Sequence, residues 1–437
     1  MKLNRTENII MINNIIMINN MRLLIILFCY ITTLQSFRFS PFLSTKKSFL
    51  QLNSHLTDIN DNTFLQLGKN PRLEQPNDNG KLTWYPIGFA DDFSHKAKQI
   101  TIRDVNYVVW KSGYKETANY YAIRDACSHQ GSSFIHGRTY SNKITCPYHG
   151  YIFNGTNGAL VKIPKMKHDY NEKYNIQSFQ CVEKGGVIYM NTIPLSFIKK
   201  NNTTMANIDP SIVFIEPEYT DSNHKSINLE KEFNHYAKLV TINSLDICHI
   251  GFVHSFGNKQ QPNPKNIPKI ESKIQYPSKS IPHFGVIYNY IAGKNSLVHR
   301  VYNFTRIQVE NEYILPHTTV ARVRFGEWSS TIITHALPIS TFKTRLFVKA
   351  YRNYMYYDLT KCNDWSYPFK LIINWLGDQL TEDTMITTLN EDKNIIDNID
   401  KHDYQSMHGK FSITYDILSD HYKHSYAKYY ETGPNQI

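Results

Sequence analysis

The sequence predicts an α+β protein with a small antiparallel β domain at residues 81–195 and a larger domain at residues 210–437. Alternating apolar and polar residues separated by turn residues fill the first part, which favours short strands. Helical periodicity occurs in the second part, most clearly in Leu380–Ile399, and an Asn/Thr-rich linker near residues 199–207 separates the two. The length of 437 residues accommodates both domains and a short extra segment.

Composition excludes a disordered chain, because 41% of the residues are hydrophobic and only 19% are charged. The formal net charge of +11 is spread out: outside residues 1–55 the chain has 42 basic and 36 acidic residues. The sequence therefore predicts no nucleic-acid binding. The cysteines are too few and too scattered for a disulfide framework, which favours metal-binding thiols in a reducing compartment. They are Cys29, Cys127, Cys146, Cys181, Cys248 and Cys362.

Residues 1–55 read as a targeting segment. Arg22 precedes the apolar run Leu23–Ile31, which is signal-like and far shorter than the ~20 residues of a membrane span. The following stretch, residues 37–49, is basic, rich in Ser and Thr, and free of acids, as in transit peptides. We expect delivery to a complex plastid; a secretory or ER signal is the alternative. The chain has no second long apolar run, so any membrane contact is expected to be peripheral.

Two short patterns in the β domain define the first metal site. Gln99–Trp110 and Asn119–Arg124 are predicted strands, and two loops beyond them contain Cys127-Ser-His129 and Cys146-Pro-Tyr-His149. Each loop offers one thiolate and one imidazole. Mixed Cys/His loops suit a Rieske [2Fe–2S] cluster with two Cys on one iron and two His on the other, whereas a zinc knuckle is the alternative. Such a cluster accepts electrons readily, at about −150 to +300 mV.

A second pattern predicts a mononuclear site. Asn243, Asp246 and His249 follow helical spacing on one face, and Gly251 permits a bend that brings His254 to the same point. A facial triad for non-haem Fe(II) needs one carboxylate in addition to two histidines. A buried pair of ordinary core histidines is the alternative.

The best candidate for the carboxylate is Asp392. It lies on the apolar stripe of the predicted helix, where an ionised side chain is costly unless it is paired or metal-bound. Asp383 and Asp397 fall on the polar side of the same helix and are the fallback candidates.

Together the two patterns resemble the Rieske non-haem iron oxygenase family. The resemblance rests on Cys127-x-His129…Cys146-Pro-Tyr-His149, on Asn243-x-x-Asp246-x-x-His249-x₄-His254 and on Asn390-Glu391-Asp392-Lys393. Trp84-Tyr85-Pro86 and Gly186–Asn191 resemble the first and last strands of the family's Rieske domain. Within the family, the chain most resembles the group that contains pheophorbide a oxygenase, chlorophyllide a oxygenase and the Rieske protein of the plastid inner-envelope translocon.

The resemblance implies a helix-grip catalytic domain, in which a curved antiparallel sheet wraps around a long helix. It also implies a head-to-tail homotrimer, in which Asp246 bridges His249 to a cluster histidine, His129 or His149, of the adjacent subunit. Asn243 and Asp246 are thus the expected catalytic residues. His249, His254 and Asp392 are the expected iron ligands.

The implied activity is oxygenation of an organic substrate with O₂ and electrons from a ferredoxin or flavin reductase, because the chain has no flavin or dinucleotide motif of its own. Lys111, Lys115 and Arg138 are candidates for docking an acidic ferredoxin. A chlorophyll-type macrocycle, a sterol and a small stromal amine remain open as substrates. The rival class is an electron carrier or redox sensor that performs no oxygenation.

Overall fold

The computed structural model describes nine stretches of the chain: residues 84–114, 117–166, 170–201, 209–254, 269–275, 282–291, 306–361, 366–401 and 412–431. The predicted targeting segment, Lys115 and Cys362 lie outside these stretches. So does most of the predicted linker, although its first residues belong to a short helix that ends at Asn201.

Two antiparallel sheets make up the N-terminal β region, between residues 84 and 194. Its strands are β1 Trp84–Phe89, β2 Lys98–Ile102, β3 Val105–Ser112, β4 Asn119–Arg124, β5 Arg138–Tyr140, β6 Lys143–Thr145, β7 Ile152–Asn154, β8 Leu160–Lys162, β9 Ser178–Lys184 and β10 Val187–Pro194. The larger sheet has the order β1-β10-β9-β4-β3-β2, and the smaller has the order β5-β6-β7-β8. The first and last strands coincide with the two segments that the sequence singled out.

The predicted strand Gln99–Trp110 is wrong as a single element. It is a hairpin of β2 and β3 that turns at Arg103 and Asp104, both of which have positive φ. The alternation of Ile100 and Ile102 stops at this polar pair and resumes, shifted by one residue, at Val105 and Tyr107. The turn connects the β region to the large sheet, because the amides of Arg103 and Asp104 donate to the carbonyls of Pro338 and Ile339.

One large antiparallel sheet dominates the rest of the chain. Its strands are β11 Lys225–Phe233, β12 Lys269–Gln275, β13 His283–Ile291, β14 Arg306–Ile314, β15 Thr318–Phe325, β16 Trp328–Ser340 and β17 Lys343–Arg352. The order is β11-β17-β16-β15-β14-β13-β12, so the first strand of this region closes onto the last. The predicted α+β fold class and the curved-sheet architecture are confirmed.

Five α-helices accompany these sheets in the described part of the chain. They are α1 Leu195–Asn201, α2 Ala237–Leu245, α3 Ile250–Val253, α4 Tyr367–Ile396 and α5 Ile417–Tyr426. The long helix α4 begins at Tyr367, well before the predicted start near Leu380, and Pro368 in its first turn suits a helix start. Within the described ranges, no helix combines the length and apolar character needed to cross a bilayer.

The two halves of α4 pack differently on the large sheet. In the C-terminal half, Leu389 and Ile396 join a buried apolar cluster with Phe233, Leu346 and Val348. In the N-terminal half, the buried face is polar and small. Asn374, Gly377 and Thr381 are buried, and the Arg352 guanidinium donates to the Asn374 carbonyl (2.8 Å) and to the Asp378 carboxylate (2.7 Å). Apolar residues are present in this half, but Leu371, Ile372 and Trp375 are exposed, so hydrophobicity does not identify its buried face.

Buried polar contacts also join the N-terminal β region to the large sheet. Lys349 of β17 is 2% exposed and donates both to the carboxylate of Glu216 and to the carbonyl of Gly185 in the β9–β10 turn. The Tyr351 hydroxyl donates to the same carboxylate at 2.6 Å. Because a buried charge is tolerated only when paired, these contacts fix how the β region sits on the sheet.

Candidate metal centres

The two Cys/His loops have the same backbone plan. The Gly131 amide donates to the Cys127 carbonyl (2.8 Å), and the Gly150 amide donates to the Cys146 carbonyl (3.0 Å). In each loop the cysteine amide also donates to the carbonyl five residues further on. Both glycines have positive φ, +72° and +74°, which favours glycine over any residue with a Cβ. The equivalent hydrogen bonds place the two Cys/His pairs side by side.

The four side chains divide into a buried end and an exposed end. Cys127 and Cys146 are 4% and 2% exposed, and the Cys146 side chain contributes to the raised pKa of Cys127. His129 and His149 are exposed, and their Nδ1 atoms lie 3.2 Å apart. Burial raises the pKa of Cys127 to about 11, so a thiolate at this position needs a cationic partner.

This donor set fits a two-iron cluster better than a single ion. Among the described residues, the group of three or more potential ligands whose donor atoms all lie within 4.8 Å of one another is His249, His254 and Asp392. Cys127, His129, Cys146 and His149 do not converge that tightly, although a tetrahedral zinc site requires convergence. Two thiols on one side and two imidazoles on the other match the separate irons of a Rieske cluster.

The second site is built on a helix break rather than on the continuous helix that the spacing predicts. Helix α2 ends at Leu245, and Asp246 is extended (φ −73°, ψ 113°). The Asp246 carboxylate accepts hydrogen bonds from the amides of Cys248 (2.8 Å) and His249 (3.2 Å), and this local bonding competes with helix continuation. The bend therefore precedes both histidines. Gly251 lies inside the next short helix, α3, and is not the bend.

His249 and His254 flank α3 and meet over Asp392 of α4. Their Nε2 atoms are 3.1 Å apart, and each lies 3.5 Å from Asp392 Oδ1. Three donor atoms at these separations can all reach one metal ion at about 2.0–2.2 Å. Within the described residues, Asp392 Oδ1 is shielded from solvent and accepts no well-formed hydrogen bond. A buried carboxylate oxygen without a hydrogen-bond donor is suited to binding a cation.

Electrostatics keep Asp392 ionised. Burial alone raises its pKa, but the imidazoles of His249 and His254 and a hydrogen bond from Asn243 lower it, and the resulting pKa lies below the ordinary value. The fallback acids lie elsewhere. Asp383 is exposed, and Asp397 accepts hydrogen bonds from the backbone amide (2.8 Å) and side chain (2.9 Å) of Asn234.

The pKa values of the two histidines shift in opposite directions. For His254, burial lowers the pKa, and the nearby Asp392 and Glu391 only partly oppose this. For His249, burial also lowers the pKa, but Asp392 and Asp246 outweigh it, and the pKa lies above its ordinary value. The carboxylate of Asp392 thus stabilises positive charge at the point where the three donors meet.

The structure adds a residue that sequence reasoning did not assign. Glu391 Oε2 lies 3.2 Å from His254 Nδ1, on the opposite side of the ring from the donor cluster. Its position next to Asp392 on a predicted helix was a signal, since neighbouring acids at a metal site commonly orient its ligands.

Comparison with known proteins agrees with this geometry. A sequence model of the Rieske [2Fe–2S] domain matches residues 83–181. The chain carries a Rieske domain. Chlorophyllide a oxygenase, chloroplastic, of Arabidopsis thaliana is 27% identical over 176 residues, which are 40% of this chain and 29% of that protein. Cholesterol 7-desaturase of Caenorhabditis elegans is 25% identical over 170 residues, 38% of this chain and 37% of that protein.

A solved structure extends the likeness beyond the Rieske domain. Dicamba monooxygenase bound to dicamba superimposes with a TM-score of 0.63 over 80% of this chain and 98% of that one, at 16% sequence identity. At this identity the likeness establishes the fold. The chain spans less than half the length of the two curated relatives named above. The predicted resemblance to the Rieske oxygenases is confirmed, and the Rieske domain confirms the [2Fe–2S] cofactor. The mononuclear iron stays a prediction.

The Rieske domain places the predicted docking residues unevenly around its cluster loops. Lys111 pairs with Tyr120, whereas Cys127 follows the opposite end of β4, so Lys111 lies away from the loops. Arg138 pairs with Thr145, next to Cys146, and is exposed. Lys165 is exposed and follows Pro164, which lies against Gly150 of the second loop.

Proposed function

We propose that this chain is a Rieske-type oxygenase that uses O₂ and electrons from a ferredoxin or flavin reductase at a mononuclear Fe(II) site. One observation carries the proposal: two imidazole nitrogens and one carboxylate oxygen meet within 3.5 Å of one another in a chain that also has a Rieske domain. When bound, the [2Fe–2S] cluster supplies single electrons and the Fe(II) activates O₂, because two histidines and one carboxylate leave coordination positions open.

The residues of this chain hold and orient the two groups. Cys127, Cys146, His129 and His149 are the cluster ligands, and His249, His254 and Asp392 are the iron ligands. Asn243 helps to lower the pKa of Asp392 and so keeps the carboxylate ionised beside the two histidines. These roles place the cluster at residues 81–195 and the reaction at residues 210–437.

Asp246 links the two groups across a homotrimer. Its Oδ1 is engaged by the turn amides, and its backbone carbonyl lies 2.6 Å from His249 Nδ1, so the imidazole is held by the carbonyl rather than by the carboxylate. The half-buried side chain has a second oxygen, Oδ2, for an outside donor. An exposed Rieske histidine of a neighbouring subunit is that donor, because the paired Nδ1 atoms leave Nε2–H directed outward.

Exposed surfaces support head-to-tail assembly. Tyr148 precedes the cluster histidine His149 and is 62% exposed; Met166, two residues after the Pro164 that lies against Gly150, is 50% exposed. Beside the iron histidines, Phe252 is 54% exposed. Apolar surfaces of this kind favour burial between subunits.

The proposed substrate is a hydrophobic or cyclic organic molecule, with a chlorophyll-type macrocycle as the first choice. The named substrates of the similar proteins, a chlorophyllide, cholesterol and dicamba, support a ring compound. Location in a plastid agrees with the chloroplastic relative and with the composition of residues 1–55. Contact with a membrane is at most peripheral.

Oxygen consumption tests the proposal directly. Purified protein with reduced ferredoxin is given chlorophyllide a, cholesterol or a quaternary amine, and O₂ uptake is compared with product formation by mass spectrometry. Uptake matched by product with one of these compounds is expected. Cluster oxidation and reduction with ferredoxin, without O₂ uptake for any compound, would favour the electron-carrier alternative.

A further inference from the structure

The two iron histidines are held from behind by different chemical groups. His249 Nδ1 lies 2.6 Å from the backbone carbonyl of Asp246, a neutral acceptor. His254 Nδ1 lies 3.2 Å from the Glu391 carboxylate, a charged acceptor. Both rings therefore donate from Nδ1, which leaves the Nε2 lone pair directed toward Asp392.

Glu391 is placed for this contact by helix α4. It immediately precedes Asp392, so a single turn of the helix brings one carboxylate to the inner side of the His254 ring and another to its outer side. The pair is shielded from solvent: the Glu391 side chain is 14% exposed and that of His254 is 4% exposed. Charge-assisted hydrogen bonds are strongest where water is excluded.

We propose that Glu391 is a positioning residue for the mononuclear iron: its carboxylate fixes the tautomer and the ring orientation of His254 and strengthens the imidazole as a ligand. This inference rests on the proposed iron site. Carboxylates behind metal-bound histidines raise the basicity of the ring, whereas a peptide carbonyl contributes no charge. The two histidines thus differ in the partner that holds Nδ1, a peptide carbonyl for His249 and a carboxylate for His254.

A metal titration tests the role of Glu391 without relying on turnover. Protein treated with a chelator to remove mononuclear iron, with its Rieske cluster intact, is titrated with Fe(II). Glu391→Leu is expected to weaken Fe(II) affinity about 10–100-fold, the usual effect of losing such a partner. Glu391→Gln is expected to fall between Leu and wild type, because an amide oxygen still accepts from Nδ1–H but carries no charge.

Asp383→Asn is the matched control. It removes one negative charge from the same helix, but Asp383 is exposed and lies outside the site. Its Fe(II) affinity is expected to equal that of wild type. An equal loss of affinity in Asp383→Asn and Glu391→Gln would indicate a general charge effect and overturn the proposal.

Spectroscopy separates ligand positioning from simple structural support. Nitric oxide bound to the Fe(II) protein serves as an EPR probe, and the rhombicity of its signal is expected to change in Glu391→Gln. An unchanged signal together with wild-type affinity in both Glu391 variants would overturn the role of Glu391 while leaving the iron site intact. Wild-type protein that binds no Fe(II) and gives no nitrosyl signal would instead refute the proposed function itself.

Discussion

The two metal centres differ in how far along the chain their ligands lie. The cluster ligands fall between residues 127 and 149, in two loops that repeat the same backbone hydrogen bonds. The iron ligands come from the two ends of α3 and from α4, and six strands of the large sheet, β12 to β17, separate these helices along the chain. One centre is encoded by local backbone geometry and the other by tertiary packing.

Because of this difference, the two centres depend on different structural features. The cluster loops depend on glycine conformations and on buried thiols. The iron centre depends on α4 keeping its register on the sheet, where Leu389 and Ile396 pack against Phe233 and Leu346. Damage to one centre should therefore leave the other intact, and substitutions at each can test this independence.

The largest expected effect is loss of the cluster. Cys146→Ser and His149→Cys should each abolish the rhombic EPR signal of a reduced Rieske cluster, since mixed ligation of two irons needs all four side chains. The measurement is EPR of the reduced protein, together with iron content. Loss of two irons per chain is expected, and stoichiometric zinc in wild-type protein would contradict the assignment.

Removal of an iron ligand should separate the two centres. Asp392→Ala, His249→Ala and His254→Ala are each expected to abolish turnover and mononuclear iron binding, with the Rieske EPR signal unchanged. Asp383→Asn, an exposed acid on the same helix, is the control that should retain both. Full iron content and activity in Asp392→Ala would show that another acid completes the triad.

A smaller effect is expected at Asp246, the residue proposed to connect the two metal centres. Asp246→Asn keeps the shape of the side chain and its acceptor for the turn amides but removes the charge. The [2Fe–2S] cluster, the mononuclear iron and the trimeric mass should persist, while single-turnover product from the prereduced protein should fall about 10–100-fold. Normal single-turnover product, or an active monomer, would refute the route between subunits.

The sequence predicted the cluster loops well because their information is local. Two Cys/His pairs and two glycines specify the donors and the turns, and the neighbouring strands β1, β4 and β10 were also predicted. The choice of Asp392 over Asp383 came from an apolar stripe in the C-terminal half of α4. The structure buries two residues of that stripe, Leu389 and Ile396, in the core.

The remaining details depended on contacts that spacing does not reveal. Regular spacing predicted one helix through His249, but the Asp246 carboxylate bonds its own turn and ends α2. The N-terminal half of α4 buries Asn374 and Gly377 over a paired arginine and exposes Trp375, so its buried face cannot be read from hydrophobicity. The role proposed for Glu391 depends on its contact with His254, which lies 137 residues earlier in the chain.

The smallest expected effect compares the two cluster loops with each other. A Cβ added at Gly131 meets nothing within 4 Å, whereas one added at Gly150 lies 3.2 Å from Pro164 Cγ. Gly131→Ala should therefore cost only the left-handed backbone strain, about 1–2 kcal/mol, and Gly150→Ala should cost more because the proline must also move. Urea titration followed by the visible absorbance of the cluster measures both. Equal losses would show that the loops tolerate displacement of Pro164, and a larger loss for Gly131→Ala would contradict the packing described here.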